Sequence, residues 1–186
     1  MSFNPVYKSV ETEGCSLHYW YHGSGPLLVM IPGGGGLGST YNAIFPYLDK
    51  DFTVCTFDRR QNGNSKVEVS KHLNLAQQAR DVVAIIKAMG QDKACIFGNS
   101  GGALIALQLS VSYPAYVDRV VAHEAPTVVV LDDTTYHLDR AFMILDAYHT
   151  HGAEVAHQRF IEEHKGYENS PPLVRPSEMD WENFWQ

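Results

Sequence analysis

A chain of 186 residues with 45% apolar and 19% charged side chains has the make-up of one globular domain, or of a core with a small appendage. Its formal net charge of −7, with no Lys/Arg cluster, argues against a nucleic-acid or anionic-membrane partner, since both need concentrated positive charge. No run approaches the roughly eighteen apolar residues of a membrane span, and "MSFNPVYKSVETEG" lacks an apolar stretch behind a basic start. The expectation is therefore a cytoplasmic protein whose partner is a small neutral or apolar molecule.

The elements follow in chain order. "VYKSVE" and the aromatic, alternating "CSLHYWYHG" (15–23) read as hairpin partners. "PLLVMIP" (26–32) is a continuous apolar run, as in a strand buried on both faces. "TYNAIFPYLDK" (40–50) is predicted as a short helix capped by Ser39, with Pro46 as a possible kink. "FTVCTFD" (52–58) is a strand again. In "NLAQQARDVVAIIKAMG" (74–90), Leu75, Ala79, Val82, Ile86 and Met89 recur at helical spacing, with Asn74 and Gln77 as a capping pair and Gly90 as the stop. "KACIF" (93–97) is a strand, "SGGALIALQLSVSY" (100–113) a helix ended by Pro114, and "VDRVVAHEA" (117–125) a strand.

Alternation of strands and helices predicts an α/β fold: a mostly parallel sheet of about six strands with helices on both faces, over residues 1–126. After Pro126 the pattern changes. Residues 138–168 read as helical with no intervening strand, and Pro171, Pro172 and Pro176 then precede the aromatic stretch "MDWENFWQ". Residues 127–186 thus read as a helical insertion lying over the sheet. Cys15, Cys55 and Cys95 lie inside strand-like runs, and an odd number of them fits buried, reduced thiols.

Two glycine-bearing turns invite chemistry. In "PGGGGLGST", Gly33, Gly35 and Gly38 match the dinucleotide spacing G-x-G-x-x-G, with Asp58 placed as a ribose-binding acid. The triphosphate version fails because Ser39 stands where a lysine is required. The dinucleotide version is weakened because two strands precede the loop, whereas that motif belongs to the first βα turn. The second turn is "GNSGG" (98–102), a G-x-S-x-G match with a strand before it and a helix after it. A nucleophile elbow needs a turn so tight that the neighbours of the serine are nearly bare, which Gly98 and Gly102 provide. Ser100 is then the candidate nucleophile; its plainer alternative is a helix cap. Gly102, Ala106 and Ser110 form a small-residue stripe for close packing.

On these residues the chain resembles the α/β-hydrolase superfamily. "PGGGG" occupies the place of that family's oxyanion loop, "DRRQNGNS" (58–65) resembles its D-x-R-G-x-G-x-S turn, and "GNSGG" is the elbow. Pro32 stands where many relatives have histidine, and Gln61 where the turn has glycine. The resemblance implies that Ser100 attacks an ester, lactone or related carbonyl while the backbone N–H groups of Gly34 and Gly101 hold the oxyanion. It also makes Asp58 a turn former and residues 127–186 a helical lid segment that is incomplete at Gln186, and it requires neither cofactor nor metal.

The same family carries its acid and histidine on later strands, so the chain as given is expected to lack both and to hydrolyse esters at close to background rate. His123 and Glu124, at the end of the strand expected beside that of Ser100, are the candidate pocket or base residues. Their plainer reading is a strand-end cap. His18, His22 and His72 read as surface or structural. His149, His151, His157 and His164 crowd the lid, yet His157 and His164 lie roughly 10 Å apart on a helix, too far to share an ion held at ~2.1 Å per ligand. Asp132 and Asp133 read as loop formers. A non-catalytic small-molecule binder on the same fold remains the principal alternative. Strand 117–125 is expected to present an open edge through which the chain could self-associate.

Overall fold

The structure, a computed structural model, describes residues 4–164. The chain forms two compact units that divide between Thr127 and Val128. Among the described residues no helix is long and apolar enough to cross a membrane.

The first unit is built on strands β1 (Val6–Thr12), β2 (Cys15–Gly23), β3 (Leu27–Ile31), β4 (Thr53–Phe57), β5 (Lys66–Val67), β6 (Ala94–Asn99) and β7 (Val117–His123). They form one sheet in the order β1-β2-β4-β3-β6-β7, with β5 pairing β2 to the side. The neighbouring pairs β4/β3, β3/β6 and β6/β7 are parallel, while β2 runs antiparallel to β1, β4 and β5. The chain is thus an α/β fold with a parallel sheet and an antiparallel flank. Six of the seven strands coincide with expected runs. The seventh, Lys66–Val67, is two residues long, too short for any periodicity to register.

The apolar run of β3 is buried on both faces, as its composition requires. Val29 and Ile31 pack with α2 (Leu75–Ala88) and α3 (Gly101–Ser112) through Ile85, Ile86, Ile105 and Leu109, while Met30 faces Trp20, Tyr41, Phe45 and Val54 on the other side. The α2 start is the one expected: the Asn74 side chain accepts the Gln77 N–H at 2.9 Å, and Gly90 beyond the C-terminus takes φ +70°. The predicted helix over 40–50 is replaced by two pieces, a 3-10 turn at Gly38–Tyr41 and a single turn α1 (Phe45–Leu48). Ser39 does not cap it, since Leu37 takes the N-cap place of the 3-10 turn. Pro46 explains the break. It has no N–H to donate and its ring would strike the carbonyl four residues earlier, so it is admitted only in the first turn, where it stands.

Cys15 and Cys55 are buried, Cys95 half-buried, and all three are free thiols whose pKa burial pushes up. The second unit holds α4 (Thr134–His151) and α5 (Ala153–His164), separated by Gly152 at φ +87°. They meet over Ala147 and Ala156, both buried, and are joined by an Arg140–Glu163 ion pair. Residues 165–168 of the expected helix, the three prolines and "MDWENFWQ" lie outside the described residues, as does the side chain of His164.

Candidate active site

Parallel register places the chemistry-bearing turns at one end of the sheet. Ile31 of β3 pairs with Gly98 of β6, and Asn99 pairs with His123 of β7. The glycine loop, the "GNSGG" turn and the His123–Glu124 turn therefore leave from adjacent carboxyl ends, where open α/β sheets present their sites.

Between β6 and α3 the backbone turns as an elbow. A Cβ at Gly98 would stand 2.3 Å from the Gly102 carbonyl oxygen, and one at Gly102 would stand 2.1 Å from that of Ile31, so neither place admits a side chain. Ser100, between them, takes φ 51° and ψ −122°. A β-carbon in that region strains the backbone by about 1–3 kcal/mol, which persists only where the surroundings enforce it. They do so here through the Ser100 N–H, which donates to the His123 carbonyl at 2.9 Å, and through the Ser100 carbonyl, which accepts from Ala103 N–H at 2.9 Å. The Ser100 hydroxyl caps no helix N–H, so the plain capping role does not account for this serine.

The glycine loop lies against the elbow. A Cβ at Gly33 would lie 3.0 Å from the Asn99 carbonyl oxygen and 3.2 Å from Ser100 Cβ, and one at Gly101 would lie 3.9 Å from the Gly34 nitrogen. Gly34 itself borders open space, with nothing within 4 Å of a Cβ built on it. Gly34 and Gly101 thus stand side by side next to Ser100. Below them the Tyr41 hydroxyl lies 2.6 Å from Asn99 Oδ1 and 3.0 Å from the Ile31 carbonyl oxygen. Burial pushes its pKa up to about 12, so it stays a protonated donor.

The turn after β4 braces the loop from the other side. Asp58 is buried and spends both carboxylate oxygens on backbone, accepting from Gly38 N–H at 3.1 Å and from Asn64 N–H at 2.9 Å. It is a turn former, buried and turned inward on the loop. The glycine loop also opens only the 3-10 turn, without the long helix whose N-terminus would receive a pyrophosphate. A buried acid and the missing helix both speak against the dinucleotide reading of Gly33–Gly38. Arg60 makes a bidentate pair with buried Asp81 at 2.6 and 2.7 Å. Arg59 is buried as well, and its Nη2 donates to the carbonyls of Gly33 at 2.7 Å and Gly34 at 3.3 Å. Sequence reading places Arg59 only as a neighbour of the turn, because nothing in "DRR" tells which arginine turns inward. Tyr41 and Asn99 carry no sequence signal either.

His123 and Glu124 arrive at the same end of the sheet without engaging the serine through their side chains. The His123 ring stacks on Phe97 at 6.3 Å, its Nδ1 stands 3.9 Å from Glu124 Oε2, and Glu124 is largely exposed at φ 52°. Among the described residues no hydrogen bond joins the Ser100 hydroxyl to an imidazole, and no group of three His, Cys, Asp or Glu could hold a metal ion. A cleft of about 660 Å³ is lined elsewhere, by Glu13, Arg60, Gln61, Lys71, Gln77 and Arg80. Its two arginines are committed to Asp81 and Glu13.

A strained serine elbow facing a glycine loop at the carboxyl end of a parallel sheet defines a class, and residues 26–166 match the family described as alpha/beta hydrolase fold. The chain belongs to that family. It is 29% identical over 119 residues to the uncharacterized hydrolase YraK of Bacillus subtilis, covering 62% of this chain and 43% of that one. To Escherichia coli RutD, provisionally named a carbamate hydrolase, it is 32% identical over 97 residues, or 52% of this chain and 36% of RutD. Among solved structures, a provisionally assigned epoxide hydrolase of Pseudomonas aeruginosa superposes with a TM-score of 0.66 at 22% identity, over 76% of this chain and 49% of that one, a likeness of fold. The chain spans less than half the length of each of these three. It is a hydrolase-fold chain, with hydrolases among its relatives.

Proposed function

We propose that the protein is a serine hydrolase in which Ser100 attacks an ester, lactone or related carbonyl while the N–H groups of Gly34 and Gly101 receive the oxyanion. The observation that carries this reading is the positive φ of Ser100 beside an unobstructed Gly34. Strain of this kind serves to present a hydroxyl; a helix cap would not need it. The carbamate named for RutD is also a carbonyl compound, which agrees with attack at a carbonyl carbon. Attack would form a Ser100 Oγ–acyl bond and expel the alcohol, which takes up a proton, and water would then cleave the acyl-serine to release the acid. The substrate class is neutral or apolar and small, and the setting is cytoplasmic, consistent with the odd number of free thiols.

A fluorophosphonate probe tests the reading. Labelling of the full chain is expected at Ser100, slowly where no imidazole takes the hydroxyl proton, and is expected to vanish in Ser100→Ala. A protein that binds ester-like ligands reversibly while Ser100 stays unlabelled is a binder on the same fold. That second reading rests on one observation, the missing hydrogen bond between the Ser100 hydroxyl and any described imidazole.

Self-association belongs to the same proposal. Among the described residues strand β7 ends the sheet, and Val120 and Val121 on it are exposed. An edge strand with apolar side chains is a template for a second copy. Sedimentation velocity of the 186-residue chain is expected to show oligomers that Val121→Lys reduces. A monodisperse wild-type monomer would leave the edge without that role.

A further inference from the structure

We propose that Arg59 is the positioning residue of the oxyanion loop: by gripping the Gly33 carbonyl it aims the Gly34 N–H at the space beside Ser100. The inference rests on the reading of Ser100 and Gly34 above and adds to it the residue that holds the donor in place. The Gly33 carbonyl and the Gly34 N–H are opposite ends of one peptide group, and a trans peptide points them in opposite directions. Whatever fixes the carbonyl therefore fixes the direction of the N–H. Arg59 Nη2 donates to that carbonyl at 2.7 Å and reaches the Gly34 carbonyl at 3.3 Å, so two successive peptide planes of the loop are held by one guanidinium nitrogen. The Gly36 N–H also donates to the Gly33 carbonyl, at 3.0 Å, closing the turn from the other side.

The arrangement is costly to the fold, which argues that it serves the loop. Arg59 is only 4% exposed. Its other terminal nitrogen bonds the neutral amide of Gln78 at 3.2 Å, its Nε has no partner, and among the described residues no carboxylate pairs with it. The adjacent Arg60, by contrast, has its bidentate partner in Asp81. A buried guanidinium without a counter-ion is unfavourable, and burial draws the Arg59 pKa down. Spent on the Gly33 carbonyl, the same charge polarises the peptide and strengthens its N–H as a donor. It also places a fixed positive charge behind the position where negative charge develops, a preorganised arrangement that needs no rearrangement as the reaction proceeds.

The test uses Arg59→Met and Arg59→Lys in the full chain with two readouts. One is the amide ¹H–¹⁵N signal of Gly34, and the other is the rate of Ser100 modification by a fluorophosphonate. Arg59→Met is expected to shift and broaden the Gly34 signal and to slow modification about tenfold or more, as small misplacements of reacting groups do. Arg59→Lys, which restores the charge and one donor nitrogen, is expected to recover part of both. An unmoved Gly34 signal with an unchanged rate overturns the proposal. Should Arg59→Met fail to fold, Arg59→Lys decides it alone, because lysine lacks the rigid planar fork that is anchored on Gln78 while it grips the loop, and an unchanged Gly34 signal in that variant also overturns the proposal. If the wild-type chain is not labelled at Ser100, the serine reading fails by itself, while the Gly34 signal still reports whether Arg59 orients the loop.

Discussion

Gly102→Ala is expected to cost about 3 kcal/mol of stability or more, at the upper end of what overpacking does. For a chain of this size that corresponds to a fall in melting temperature of roughly 10 °C. The added methyl group would lie 2.1 Å from the Ile31 carbonyl oxygen and 2.9 Å from that of Pro32, both backbone atoms of the strand and loop that carry the site. Neither can swing away as a long side chain could. Relief would require α3 to lift from β3, opening the contact of Ile105 and Ala106 with the sheet. Thermal and urea melts followed by circular dichroism would check the effect, with Gly34→Ala as the control that adds the same methyl group where nothing stands within 4 Å. A Gly102→Ala protein as stable as the wild type would mean that the elbow is not packed as described.

The elbow is legible from sequence where its demands are local: a Cβ at Gly98 would strike the Gly102 carbonyl oxygen four residues on, inside a short word bounded by a strand and a helix, whereas the demand at Gly102 comes from Ile31 and shows only in the fold. The α2 start is local in the same way: Asn74 meets Gln77 three residues on. The buried run of β3 is legible because a strand covered on both faces must be apolar throughout. Residues 40–50 were less so, because helical periodicity does not register that Pro46 admits only a first turn.

Contacts made across long stretches of chain were not legible. Arg59 acts on residues 25 and 26 positions away, and Tyr41 meets Asn99 58 positions away. Each depends on parallel pairing that brings β3, β4 and β6 into register, and "DRR" or "STY" read alone carries no trace of it. His123 meets Ser100 through its backbone carbonyl, a contact any residue could supply and one that the side chain gives no sign of in the sequence.

Gly34→Val separates the loop's two roles, folding and reaction. Gly34 is not among the glycines with positive φ, and nothing stands within 4 Å of a Cβ built there, so the β-carbon of valine meets neither backbone strain nor a clash. Its melting temperature is expected to stay near that of the wild type, because substitutions into open space fall within about 0.5 kcal/mol. The isopropyl group would occupy the space beside the Gly34 nitrogen where the oxyanion of a tetrahedral adduct has to sit. Loss of one such donor typically costs about 10²–10³ in rate. Fluorophosphonate modification of Ser100 is therefore expected to slow by about a hundredfold with the fold intact, measured as the pseudo-first-order rate of labelling beside a thermal melt of the same sample. The dissociation of the two readouts is what carries meaning. Gly33→Val could not supply it, since a Cβ there already presses on the Asn99 carbonyl at 3.0 Å. Equal losses of melting temperature and labelling in Gly34→Val would show that the glycine serves the turn and not an oxyanion; unchanged labelling with an unchanged melt would show that the adduct forms away from this nitrogen.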